Sequence, residues 1–299
     1  MKNKEDFLSM ISNNAIFLDY FNRLKLIAIS IAKWNGLPET CDPRFLELSL
    51  FDFGKAIFVK DERLGYLNLN VTWGSELNVY NLPNKYLAFS VNYSKMYDAD
   101  NSVLIMNNLL MRPTADTITL YAKRLYDIQT TQDINVVAQK TPVLLQCNNK
   151  QRLTLENLYK KYDGNMPFIF GDKSYNLQEM ISSIKTDAPF IADKLQTLKL
   201  DVINEVLTFL GIDNANTSKK ERLITDEANA NNELINMYMD TFITPRKMAC
   251  DKINKMYPDL NVSVEVNENM LNTLLSMLDD IPLKFSDGGD NNGNIHNPS

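Results

Sequence analysis

The chain has 299 residues, with 31 Lys and Arg against 37 Asp and Glu and a formal net charge of −6. That length admits one large or two modest domains, and that charge excludes a general nucleic-acid binder: the long-range field repels phosphate, so any DNA contact has to be local or weak. Three widely spaced cysteines (Cys41, Cys147, Cys250) and a lone histidine, His296, give no disulfide framework, zinc site or His-dependent triad.

The opening string MKNKEDFLSM contains two acids and leads into no cleavage-like site, and the most apolar run, LIAISIA at 26–32, is far shorter than the roughly 20 residues of a membrane span. Phe7, Ile11, Phe17, Phe21, Leu24, Ile27, Ala28 and Ile31 recur at three- and four-residue steps. They predict a helix over residues 5–35 that stops near Gly36. From about 45 to 110 the strings AIFVKD, GYLNLNVTW, YLAFSVN and SVLIMNN predict strands of a small antiparallel sheet or barrel. Pro113 opens a second helix, with Thr114 or Asp116 as cap, which runs to Ala138. TPVLLQC and NMPFIF then read as strands, and LTLENLYKKY and NLQEMISSI as short helices, giving a small α/β block over 139–186.

The helix after it, about 24 residues over 187–211, is the most fully specified. Thr186 or Asp187 caps it, Pro189 occupies its first turn, and Ile191, Leu195, Leu198, Val202, Val206 and Phe209 form an apolar stripe that ends at Gly211. A polar turn with the basic cluster Lys219, Lys220 and Arg222 follows, then a helix from Asp226 to about Tyr257 that Pro245 prevents from staying straight. NVSVEV predicts a strand and MLNTLLSMLDDI a last helix; the Gly-, Asn- and Asp-rich residues 286–299 predict a disordered tail. The fold class is α+β, mainly α.

Neither GxxxxGK[ST] nor GxGxxG occurs, so no phosphate cradle is legible. Pro258, Asp259 and Glu265 echo a metal-dependent nuclease, but Asn267 stands where that pattern needs Lys. The paired acids Asp98/Asp100 and Asp279/Asp280 read as solvated carboxylates. Nothing predicts an enzyme or a cofactor. The 219–222 cluster reads either as a solvated loop or as a local contact with a polyanion.

Several strings carry a family resemblance: WNGLP at 34–38 through Phe53 and Gly54, AQKTPVL at 138–144, KTDAP at 185–189 with DKL at 193–195, and LTFLGI at 207–212 followed by NAN, KKER and TDE at 214–216, 219–222 and 225–227. Over roughly residues 15–265 the chain resembles the upper collar protein, or head–tail connector or portal, of small short-tailed phages. The resemblance implies a portal fold in a homo-oligomeric ring of twelve at one capsid vertex of the virion, with double-stranded DNA passing through the axis during packaging and ejection. It implies an N-terminal wing over 1–113, stem helices over 114–138 and 187–211, and a clip over 139–186. A channel loop at about 214–231 and C-terminal wing helices would complete 212–285.

The family's channel lysines correspond to Lys185, Lys194, Lys219 and Lys220, and Arg222 joins them in the basic cluster. Implied partners are the major capsid protein, scaffold, lower collar and tail proteins, and a separate packaging ATPase. The family's basic N-terminal arm for packaging RNA is not matched, since MKNKEDF sets two Lys against two acids. The competing reading is a soluble DNA-binding accessory protein that acts as monomer or dimer through residues 219–222.

Overall fold

The computed structural model describes residues 2–74, 76–138, 143–146, 168–171, 189–213 and 225–268. The chain divides into two compact units, one from Met1–Lys25 with Arg112–Phe242 and the other from Leu26–Met111 with Ile243–Ser299. It passes between them three times: inside α1 (Lys2–Ile29), after Met111, and inside α5 (Thr225–Met256).

In the second unit, α1 ends at Ile29 rather than continuing to Gly36. Ala32–Asn35 is a strand, β1, paired antiparallel with β9 (Ser263–Val266), Ala32 opposite Val266 and Asn35 opposite Ser263. Ala32 and Trp34 are buried and Lys33 is exposed, a two-residue alternation that is too short to be told from the end of a helical stripe. Gly36 has φ +71°, and a Cβ there would fall 2.1 Å from the Asn261 carbonyl oxygen, so only glycine lets the two segments meet.

Next comes an unpredicted helix, α2 (Pro43–Phe53). Asp42 accepts the Arg44 N–H at 2.9 Å, Pro43 supplies a preset φ in the first turn, and Gly54 closes the helix in the left-handed region. Leu46 and Leu50 are fully buried.

The predicted sheet has five strands, β2 (Lys55–Asp61), β3 (Gly65–Thr72), β4 (Lys85–Ser90), β5 (Tyr93–Asp98) and β6 (Ser102–Met106), in the order β5-β4-β3-β2-β6. β3 pairs with β2 over Gly65 to Leu69 and with β4 over Asn70 to Thr72, and only the short turn Ala99–Asn101 links the strands at the two edges. The sheet therefore curls into a barrel-like layer. Ile57, Val59, Leu69, Val71, Tyr86, Ala88 and Tyr97 fill one core, while Ala56 and Phe58 of β2 are buried on the opposite face and α2 packs on β2 and β3. The edge strand β5, YSKMYD, was missed at the sequence level because most of it faces water.

Two polar hubs lock this unit. The Asp61 carboxylate accepts the N–H groups of Arg63 and Leu64, the Tyr93 hydroxyl at 2.8 Å and Lys95 Nζ at 3.1 Å. These donors hold its carboxyl well below the usual range, the Arg63 N–H most strongly, and burial pushes the Tyr93 hydroxyl well above the usual tyrosine range. Buried Glu47 of α2 receives Arg246 of α5 at 2.7 and 2.9 Å and the Trp34 indole N–H at 2.8 Å. Arg246 also donates to the Asn107 carbonyl at 3.1 Å.

In the first unit, α3 (Thr114–Ala138) packs on α4 (Ala192–Phe209). The helix predicted over 187–211 is shorter, 18 residues, or about 27 Å at 1.5 Å per residue. Its start is set by the neighbouring helix: Asn135 Oδ1 accepts the Ile191 N–H at 3.0 Å, and Asn135 Nδ2 donates to the Pro189 carbonyl at 3.0 Å. At its other end Phe209 meets the rings of Tyr121, Tyr238 and Phe242. Gly211, at φ +74°, lets the chain turn where a Cβ would lie 2.4 Å from the Met239 nitrogen.

α5 begins at Thr225, so residues 225–231, expected in the loop, are helical. It stays helical through Pro245, where the missing N–H leaves the Thr241 carbonyl without its intrahelical donor. In the 139–186 block, β7 (Val143–Gln146) and β8 (Phe168–Gly171) form a parallel pair. The helices predicted at LTLENLYKKY, NLQEMISSI and MLNTLLSMLDDI, and the tail 286–299, lie outside the described residues.

Candidate functional site

The α3–α4 pair is antiparallel, and its cross-helix bonds fix which residues stand level. Tyr121 and Arg124 bond Glu205 at 3.1 and 2.9 Å, Lys199 Nζ bonds Gln129 at 2.7 Å, and Asn135 bonds the Ile191 N–H. Ile118, Ala122, Leu125 and Ile128 on α3 and Val202 and Val206 on α4 are buried. That leaves Lys194, Leu198, Asp201 and Glu205 along the exposed side of α4, at steps of four, three and four.

Lys194 differs from Lys199 and Arg124 on this pair. Lys199 is bonded to Gln129 and lies 5.3 Å from the Tyr20 ring, and Arg124 is paired with Glu205. Lys194 is exposed and has no bonded partner among the described residues. It also sits in the first turn of α4, where the helix dipole disfavours positive charge and Asp193 is the favoured neighbour. Helix stability therefore gives no reason for a lysine there. Asp193 is its neighbour in sequence, and Asp201 and Glu205 lie further along the exposed side, the latter paired with Arg124.

Lys123 of α3 is a second exposed cation with no bonded partner among the described residues, which the sequence reading did not single out. It stands near the level of Glu205, eleven residues from Lys194 along α4, or about 16 Å. Its position opposite the buried Ile118, Ala122 and Leu125 row was the available signal. Of the other expected site residues, Lys185, Lys219, Lys220 and Arg222 lie outside the described residues. In sequence the last three fall between the end of α4 at Phe209 and the start of α5 at Thr225.

Catalytic chemistry finds no support among the described residues. No group of three His, Cys, Asp or Glu side chains there is arranged to hold a metal. Cys41 and Cys250 are buried, which pushes both thiols up to about 11 and removes them as nucleophiles at neutral pH. The Asp61 and Glu47 hubs are bonded inward and act as structural locks.

A family model described as Phage Connector (GP10) matches residues 4–271. Among solved structures, one described as "Portal and tail of native bacteriophage P68" is similar at 13% identity, covering 94% of this chain and 98% of that one, with a TM-score of 0.48.

Proposed function

The chain belongs to the phage connector family, structural components of the virion's head–tail junction, and from that premise we propose that it is one subunit of a portal ring whose axis passes double-stranded DNA. In this reading α3 and α4 are the stem. The β7–β8 block belongs to the clip that meets the packaging ATPase, and the barrel with the C-terminal half of α5 forms the wing toward capsid protein and scaffold. Lower collar and tail proteins attach after packaging. Lys194, together with Lys185, Lys219, Lys220 and Arg222, faces the duplex.

The observation that carries the DNA-facing part is the exposed, dipole-disfavoured Lys194, which has no bonded partner among the described residues. Twelve copies at −6 give a ring of about −72, so the wall as a whole repels phosphate. Rings of lysine lower that barrier at chosen heights through contacts that are individually weak and salt-dependent. Such a wall lets a duplex slide and reads no sequence, since phosphate contacts carry none.

The test is the native mass of the purified protein at micromolar concentration, followed by cryo-electron microscopy of the particle with DNA. A closed ring of several hundred kilodaltons with density along its axis is the expected result. Monomers or dimers that bind DNA in solution would replace this reading with the accessory-protein one.

A further inference from the structure

The connection between β3 and β4 is a built turn. The Asn78 N–H donates to the Leu82 carbonyl at 2.7 Å, Asn78 Oδ1 accepts the N–H groups of Tyr80 and Leu82, and the Asn81 N–H returns to the Asn78 carbonyl. Asn81 holds φ +58°, and Leu77 bridges Pro83 across the base. This network displays two large apolar side chains directly in water, Val79 at 90% exposure and Tyr80 at 80%. A turn so fully bonded is not a loose loop, and burying neither residue in the chain's own core leaves their apolar surface for a partner. At its foot stand two exposed opposite charges, Glu76 and Lys85, neither bonded among the described residues.

The same unit carries a cleft of about 460 Å³ beside the β1–β9 pair, within the size range of sites that take small ligands. Its floor is Ile243 and Val264. Its rim holds four charges, of which Lys33 and Glu265 already pair at 2.9 Å. The other two, Lys247 and Glu268, are exposed and unbonded among the described residues. The knob therefore offers apolar bulk, a hydroxyl and one free charge of each sign. The cleft offers an apolar floor, polar edges and one free charge of each sign.

We propose that the Val79–Tyr80 turn of one subunit docks in this cleft of the next, with Glu76 meeting Lys247 and Lys85 meeting Glu268. The proposal rests on the ring reading above and names its subunit contact. A knob and a hole on different surfaces of one chain make a head-to-tail contact, the kind that closes into a ring when the rotation allows. The charges fix register and partner choice more than they add affinity.

The test is a charge swap read by native mass across a dilution series. Glu76→Lys alone and Lys247→Glu alone are each expected to raise the concentration at which the ring dissociates at least tenfold. The double variant Glu76→Lys/Lys247→Glu is expected to return it to within about threefold of the unaltered protein. Tyr80→Ser weakens the ring as the single charge changes do, while Val91→Ser, equally exposed at the β4–β5 turn, leaves it unchanged. All these positions are solvated, so circular dichroism and the unfolding midpoint serve to show that each variant keeps its fold.

If the unaltered protein forms no ring, the ring reading itself fails. If it forms one and the single changes leave it intact, this contact alone is overturned. Rings that assemble normally from the variants but are not built into capsids also overturn it, and assign the knob to the shell. Weakening by the single changes without rescue in the double variant removes the Glu76–Lys247 pairing and with it the proposed register.

Discussion

Asp61 shows how one carboxylate ties together a curled sheet. Its donors come from the β2–β3 turn and from β5, so it ties an edge strand to the sheet's interior. Because its folded pKa is depressed, its contribution to stability is complete above the ordinary carboxylate value and is lost as pH falls through the lower folded value. The unfolding midpoint of the native protein should thus decline as pH drops below about 4. Asp61→Asn should have a lower midpoint at neutral pH and a flatter acid limb; thermal unfolding at several pH values checks both.

The Glu47–Arg246 pair is a different case, two charges out of water. Arg246→Met strands the Glu47 carboxylate and should cost about 3–5 kcal/mol, whereas Glu47→Leu/Arg246→Met, which removes both charges, should recover a large part of that loss. Urea unfolding followed by tryptophan fluorescence is suited to this, because the Trp34 indole donates to the same carboxylate. Lys194→Ala is the residue-level probe of function. It should leave fold stability unchanged or raise it by a few tenths of a kcal/mol, since an unfavourable dipole contact disappears, while the length of DNA retained in filled heads falls. A loss of retention accompanied by a loss of stability would count against a DNA-facing role.

At the scale of elements, helices specified by their own sequence were legible and those specified by a neighbour were not. Thr114–Ala138 appears with its predicted bounds because Pro113 and a sustained apolar stripe mark it locally. α4 is shorter than predicted because its first-turn acceptor belongs to Asn135, which lies 56 residues upstream. Ala32–Asn35 looked helical because the partner that makes it a strand stands at 263–266. α2 has ordinary signals in its Asp-Pro start and Gly54 stop, but the strand-like strings that follow it mask them.

The Asn135 contact has a direct test. Asn135→Ala removes the acceptor of the Ile191 N–H and the donor to Pro189, at a cost of about 1 kcal/mol, the scale of a lost helix cap. Hydrogen exchange should then quicken several-fold in the first turn of α4 and stay unchanged around Val206. Uniform acceleration along the helix would mean that Asn135 supports the pair as a whole instead of capping one end.

For the whole molecule, the candidate site was legible only in part. Lys194 is an expectation from the family resemblance of the strings at 185–195, and what the fold adds is its exposure and its lack of a bonded partner among the described residues. Lys123 has only the weak signal of standing opposite the buried Ile118, Ala122 and Leu125 row, and a lysine on a helix surface is ordinary until its lack of a partner is seen in three dimensions. The division into two units was also hidden. Composition shows no linker, and each unit is assembled from two separated stretches of chain.

That interleaving has a consequence for how the protein is made. β1 leaves the ribosome some 230 residues before its only described strand partner, β9, a wait of roughly 10–50 s at ordinary elongation rates of about 5–20 residues per second. Arg246, the counter-charge of Glu47, arrives nearly as late. The second unit is therefore incomplete until β9 has emerged, and a nascent chain that has not reached it has no Lys33–Val264–Glu268 cleft. On a polysome, chains not yet translated through β9 carry the Val79–Tyr80 turn without a finished cleft. Under the proposed docking, a subunit can receive its neighbour only after it has been translated through β9, which would keep copies that stop short of it out of a ring.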